Sequence, residues 1–289
     1  MKGSIHSERI DRAIADFIWT SLTASVTAIQ LRTQAVLNCN DIESLHQFRV
    51  AVRRLRSDLR SLRPIIDHDW VDSVREKLKW FDQFTTPIRD GDVMLERLER
   101  NNQKLDFDLD PNQVWRIRGQ LTDETSQARN EFYKALASDH CATLMTELSS
   151  WGEGSAQILG PHKDLKRILQ ILNSSSWQGV REAIKEQKSD PSNAHMHRIR
   201  IIVKRARYLA DASVPILGKS AKRQARDLEL LQAVLGEHQD SWVMSKWLSG
   251  LDLRTQEESP TVQILLEFEA GQRFQLRRRY RRIWRSIRD

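Results

Sequence analysis

One spacing occurs twice in this chain, about 150 residues apart. His46-Gln-Phe-Arg49-Val-Ala-Val-Arg53-Arg54-Leu-Arg56 returns as His197-Arg-Ile-Arg200-Ile-Ile-Val-Lys204-Arg205-Ala-Arg207. In each copy a His is followed by basic residues three, seven, eight and ten positions later, with apolar residues between. A helix turns about 100° per residue. With His46 at zero on that wheel, Arg49, Arg53, Arg56 and Arg60 share an arc of roughly 80°. Phe48, Val52, Leu55, Leu59 and Leu62 fill the neighbouring arc, as a core-facing stripe does. The second copy repeats the division. His197, Arg200, Lys204 and Arg207 share one arc, and Ile199, Ile202, Val203, Ala206 and Ala210 the next. Arg54 and Arg205 lie on the far side of the histidine. Each segment therefore predicts a helix with an apolar face bordered by a cationic row.

Like charges at i,i+3 and i,i+4 repel by a few tenths of a kcal/mol per pair. The first row contains no acid to relieve this, since Asp58 points elsewhere on the wheel. In the second row Asp211, at i+4 from Arg207, relieves only its end. A single basic stripe is usually a solvated face. Two stripes of one spacing, each led by a His, point to an anion as the missing partner. Neither His46 nor His197 has a second His, Cys or carboxylate at i+3 or i+4, so metal binding is not expected. The histidines are expected to assist the anion or to orient the neighbouring cations.

These motifs resemble the CHAD family, helical domains named for their histidines and known as polyphosphate-binding modules. The family pattern is roughly His-x-x-Arg-Val-x-x-Arg-Arg-Leu-Arg in a first half. In a second half it is His-x-x-Arg-Ile-x-x-Lys-Arg-x-Arg-Tyr, here ending in Tyr208. Ile88-Arg89-Asp90-Gly91-Asp92-Val93 fits a further family segment, Leu-Gly-x-x-Arg-Asp-x-Asp-Val. Thr85-Thr86 replaces its usual Leu-Gly, which suggests a differently shaped helix junction. The second-half counterpart, Gln-x-x-Leu-Gly-x-x-x-Asp, is Gln232 to Asp240. The resemblance implies an all-α fold, a single CHAD-like domain over 1–289 with halves at 1–105 and 111–289. It further implies two helical bundles related by a pseudo-twofold axis, with a basic groove or pore between them that holds linear polyphosphate. The residues implied in binding are His46, Arg49, Arg53, Arg54, Arg56 and Arg60 from the first motif. From the second they are His197, Arg200, Lys204, Arg205 and Arg207. No cofactor is expected.

The net charge of +7 comes mainly from Arg, which is always ionised and holds phosphate bidentately. Charge balance alone fits nucleic acid, acidic lipid or an acidic polymer equally. Catalysis finds little support. The chain has no Walker-type loop, no His-Glu-x-x-His and no nucleophile motif. A phosphoanhydride hydrolase needs metal-binding carboxylates and a positioned water, and the cationic rows contain no carboxylate set. Arg89-Asp90-Gly91-Asp92 invites a Mg²⁺ reading, but Asp90 is better read as a helix N-cap. The two cysteines form no disulfide framework. No run approaches the ~18 apolar residues of a spanning helix. A cytoplasmic protein without a membrane partner is expected, and the resemblance adds polyphosphate granules as a location.

With seven Pro and 11 Gly, and almost no period-two alternation, the chain reads as nearly all helix. Ile10, Ile14, Phe17, Ile18 and Leu22 begin the first helix, and Asp41 suits the cap of the second. Asp67-His-Asp69 makes a corner. A third helix, through Trp80 and Phe84, is expected to end at Thr85-Thr86-Pro87, with Asp90 capping the fourth. Lys104 to Pro111 reads as a linker, and Trp151 to Pro161 as an irregular stretch. Ser189 to Asn193 leads into the second motif, whose helix is expected to end at Pro215 and Gly218, and Glu257 to Pro260 opens the last helix. Trp242 and Trp247 stand at core spacings. The last 17 residues hold eight Arg. Their mixture with aromatics keeps nucleic acid as the secondary reading. The alternative is an ordinary bundle helix with Phe274, Tyr280, Ile283 and Trp284 packed inward.

Overall fold

A computed structural model describes residues 2–39, 42–105, 109–150, 164–186, 191–251 and 260–288. Among them are ten α-helices and no β-strand. They are α1 (Lys2–Cys39), α2 (Ile42–Leu62), α3 (His68–Lys79), α4 (Asp82–Lys104), α5 (Pro111–Leu136), α6 (Asp139–Ser150), α7 (Leu165–Lys185), α8 (Asn193–Leu217), α9 (Lys219–Leu248) and α10 (Pro260–Arg288). A 3₁₀ turn, Arg63–Ile65, follows α2. Asp41, the stretch from Trp151 to Pro161, Ser189, Asp190 and Glu257 lie outside the described residues. Among the described residues no helix is long and apolar enough to cross a membrane.

The helices form two compact units that interleave in sequence. The first comprises Met1–Phe84, Glu131–Gly179 and Arg205–Arg226; the second comprises Thr85–Asn130, Val180–Lys204 and Asp227–Asp289. Their boundaries fall inside α4, α5, α7, α8 and α9. The stretch read as a linker, Lys104 to Pro111, separates no compact units: both its flanks belong to the second. Leu109 is buried in that unit's core, and the Asp110 N–H donates to Thr261 Oγ1 at 3.0 Å.

In the first unit, α1 presents Ile18, Leu22, Val26, Ile29, Thr33 and Val36 to the core at three- and four-residue steps. α2 does the same with its expected stripe, and Phe48, Val52, Leu55, Leu59 and Leu62 are all buried. Phe48 meets Phe81 edge-on at 5.1 Å and Phe132 at 5.4 Å. The corner after α2 is closed by Asp67, whose carboxylate accepts from the Trp70 N–H at 2.7 Å.

The break expected at Thr85-Thr86-Pro87 lies earlier. α3 stops at Lys79. The N–H groups of Trp80 and Phe81 donate to the carbonyls of Lys77 and Leu78 at 3.2 and 3.3 Å, tightening the chain into 3₁₀-type turns. α4 then runs through Pro87. A proline removes one helical hydrogen bond. However, Phe81, Thr85 and Ile88 stand at i, i+4 and i+7 and are all buried. Burial of Thr85 and Ile88 on either side of Pro87 favours keeping the segment helical. Asp90 therefore lies inside α4 and caps nothing, and no junction forms at Thr85-Thr86. The end of α8 follows similar logic. Pro215 sits in its last turn, and the stop comes at Gly218, where φ is +65° and the N–H donates to the Val214 carbonyl at 2.8 Å.

In the second unit α4, α5, α9 and α10 share a core of Met94, Leu98, Leu121, Met244, Leu248 and Leu265, among others. α4 approaches α5 closely at Gly91, where any Cβ would overlap Thr125 Oγ1. Beside this core lies a buried polar network. Arg97 donates from Nε and Nη2 to the two Glu269 carboxylate oxygens at 2.7 and 2.8 Å, and from Nη1 to Glu237 at 3.1 Å. Asn101 and Ser241 also donate to Glu269. Burial opposes the charge on Arg97, but its bonds to Glu269 and Glu237 outweigh this and raise its pKa above the ordinary value.

Candidate functional site

The first cationic row lies entirely in the first unit. Because α2 turns its apolar stripe inward, the row falls at the border of the buried face. His46, Arg53, Arg54 and Arg60 are exposed, and Arg49 and Arg56 are half-buried. Arg49 Nη2 lies 3.2 Å from His46 Nδ1. A guanidinium only donates, so Nδ1 is the acceptor in this contact. One turn of helix thus orients both side chains.

The second motif is divided between the units. Arg205 and Arg207 belong to the first, and His197, Arg200 and Lys204 to the second. Within the first unit α2 and the end of α8 bring like charges together. Partial burial, then the charges of Arg205, Arg75 and Arg56, push the Arg60 guanidinium below its ordinary pKa; Asp72 offsets only part of this. Asp72 is itself engaged by Arg63 at 2.7 Å and Arg75 at 3.3 Å. Arg60, Arg205 and Arg53 are exposed, and no ion pair reaches them among the described residues.

Two acids adjust this picture. Arg56, expected to stand in an unrelieved row, hydrogen-bonds Asp82 from the first turn of α4. Asp82 comes from another helix, beyond the reach of a single-helix wheel. Asp211 meets Arg207 at 3.3 Å, as its i+4 position requires. Asp58 serves Arg54, off the row, at 3.8 Å.

Asp58 also carries a pH signature. Burial, partly countered by Arg54 and reinforced by Asp211, raises its pKa from 3.8 to about 6. The folded chain holds this proton more tightly than the unfolded chain. Stability therefore falls as pH rises from about 4 to about 6, and the penalty persists above that range. Asp58→Asn is expected to stabilise the chain at pH 8 by roughly 2 kcal/mol. The gain should vanish near pH 4, as urea unfolding at the two pH values would reveal.

In the second unit His197 Nδ1 donates to Gln239 Oε1 on α9 at 2.8 Å. His46 and His197, equivalent in sequence, thus have different partners: a helical neighbour for the first, a second helix for the other. Next to Gln239, His238 is buried. Burial, then the charges of Arg277 and Arg273 on α10, push its pKa down to about 4. It stays neutral at pH 7. Sequence reading missed His238, Arg273 and Arg277, as well as Arg75 and Asp82. None belongs to the two cationic rows, and all reach their places from helices other than those that carry the rows.

A family model described as the CHAD domain matches residues 20–249. The chain belongs to the CHAD family. PptA from Streptomyces chartreusis has a similar structure, with a TM-score of 0.74 and 17% identity over 94% of this chain and 99% of that one. The CHAD domain from the plant Ricinus communis gives a TM-score of 0.72 at 23% identity, covering 90% of this chain and 86% of that one. At these identities the likeness concerns the fold. A comparison with curated proteins finds no match.

In this CHAD protein the two acidic family segments meet through one arginine. Arg89 donates to Asp90 at 2.9 Å and to Asp240 at 2.7 Å. Asp92 is held by Arg129 of α5. These carboxylates orient arginines. Among the described residues no group of three or more His, Cys, Asp or Glu is placed to hold a metal. Trp242 and Trp247, expected in the core, are half-buried. Trp247 Nε1 donates to Glu124 at 2.8 Å, and Lys246 lies over the Trp242 ring at 5.6 Å.

Proposed function

We propose that this CHAD protein binds inorganic polyphosphate and performs no reaction on it. The observation that carries this reading is the meeting of Arg60 and Arg205 in the first unit. Two exposed guanidiniums from the two motifs oppose one another there, with Arg75 and Arg56 adding to the repulsion. Such an arrangement costs stability in the free protein, and a polyanion relieves it. Polyphosphate carries about one charge per phosphate and no bases, so its recognition reduces to cationic hydrogen bonds along a track. Family membership supports the same ligand.

Long-chain polyphosphate should bind tightly at low salt and progressively more weakly as salt rises, because binding releases several counterions. Paired substitutions, Arg49→Ala with Arg53→Ala, or Arg200→Ala with Lys204→Ala, should each weaken it. Incubation with Mg²⁺ or Mn²⁺ should leave the polymer length unchanged. Absence of binding at low salt ends this reading, and shortening of the polymer would replace it with an enzymatic one. In cells the protein is proposed to accompany polyphosphate granules.

A further inference from the structure

The last helix carries a second cationic surface that the motif repeat does not include. α10 lies wholly in the second unit and outside the residues matched by the family model. From Gly271 to Arg288 it contains no Asp or Glu. Arg278, Arg282 and Arg285 are exposed and stand at i, i+4 and i+7. Among the described residues no ion pair reaches them. Phe274, which an ordinary bundle helix would pack inward, is 57% exposed. On the helical wheel it lies within the same arc of roughly 80° as the three arginines. Successive members are separated by about 4.5–6 Å along the axis.

The opposite side of α10 is fixed. Tyr280 is 1% exposed, Glu269 is buried in the Arg97 network, and Arg273 donates to Ser245 at 2.5 Å. The cationic stripe and its aromatic therefore project from a braced helix. This arrangement differs from the rows on α2 and α8, which carry no exposed aromatic among their cations; the Phe48 ring beside the α2 row is fully buried. Bare polyphosphate offers an exposed phenyl ring nothing to stack on. An unpaired nucleic acid strand offers both a phosphate backbone for the arginines and bases for the ring.

We propose that this face of α10 docks single-stranded nucleic acid, with Arg278, Arg282 and Arg285 on successive phosphates and Phe274 stacked on a base. The proposal stands independently of the polyphosphate reading. The test uses the full chain with labelled oligo(dT) and oligo(U), their comparison distinguishing DNA from RNA as the source of the strand. Arg278→Gln, Arg282→Gln and Arg285→Gln together should weaken binding by more than tenfold. They should also reduce the slope of log K against log salt by about 2, for three phosphate contacts on a single strand. Phe274→Ala alone should weaken binding about tenfold and leave that slope unchanged. Phe274→Trp should restore it. Both sets should retain polyphosphate binding, and the α2 substitutions should retain oligonucleotide binding. Unchanged oligonucleotide affinity in either α10 variant overturns the proposal. So does a parallel loss of both polymers with no effect of Phe274→Ala, which would make the stripe a general cationic surface. Binding to phosphatidylserine vesicles without oligonucleotide binding would assign the face to a membrane surface instead.

Discussion

Arg97→Ala should be among the most destabilising single substitutions in the second unit, with a loss of about 3–5 kcal/mol. Arg97 and Glu269 are almost fully buried, and Glu269 accepts from Arg97, Asn101 and Ser241. Removing the guanidinium leaves a carboxylate with no exposure to water and only the neutral Asn101 and Ser241 bonded to it, with Arg273 acting on it through space. The loss is comparable to a large share of the 5–15 kcal/mol that holds a typical domain together. The fault should lie in the stranded charge more than in the lost attraction. Arg97→Met combined with Glu269→Met should therefore recover much of the stability, since well-packed apolar residues often replace a buried ion pair without cost. Urea unfolding, with hydrogen exchange at α4 and α10, would read both effects. A double variant no more stable than Arg97→Ala would show that the network is needed for its hydrogen-bond geometry.

Arg60→Gln with Arg205→Gln should lower polyphosphate affinity about 100-fold at low salt, at about 1.5 kcal/mol for each charged contact. The same substitutions should leave the melting temperature unchanged or raised. In the free protein these guanidiniums repel one another, and Arg75 and Arg56 add to that repulsion. Affinity and stability should thus move in opposite directions, as they do at sites kept for binding rather than for packing. Purely structural cations would move both downward together. Unaltered affinity would remove the Arg60–Arg205 pair from the binding surface.

Much of the candidate site was legible in the chain because amphipathic helices encode their faces locally. The wheel that grouped Phe48, Val52, Leu55, Leu59 and Leu62 grouped residues that are all buried. In the second motif, Ile199, Val203, Ala206 and Ala210 are buried as well, and Ile202 half-buried. Asp211 reached Arg207 because both sit on one helix four residues apart. The two motifs and the segments from Ile88 to Val93 and from Gln232 to Asp240 also resembled the CHAD family, and that resemblance implied an all-helical fold.

Local rules failed wherever another helix set the outcome. Pro87 reads as a helix end, yet the buried face of Phe81, Thr85 and Ile88 carries α4 through it. Phe274 reads as core, yet Tyr280 and Glu269 fix α10 with that ring outside. Buried stripes and the cationic rows beside them were legible in the chain, because a 3.6-residue period needs only near neighbours. Tertiary structure decided which charges are neutralised from another helix. Asp82 reaches Arg56 from 26 residues away, and Glu269 reaches Arg97 from 172. No local spacing encodes such separations, and burial on folding strengthens the Arg97–Glu269 pair.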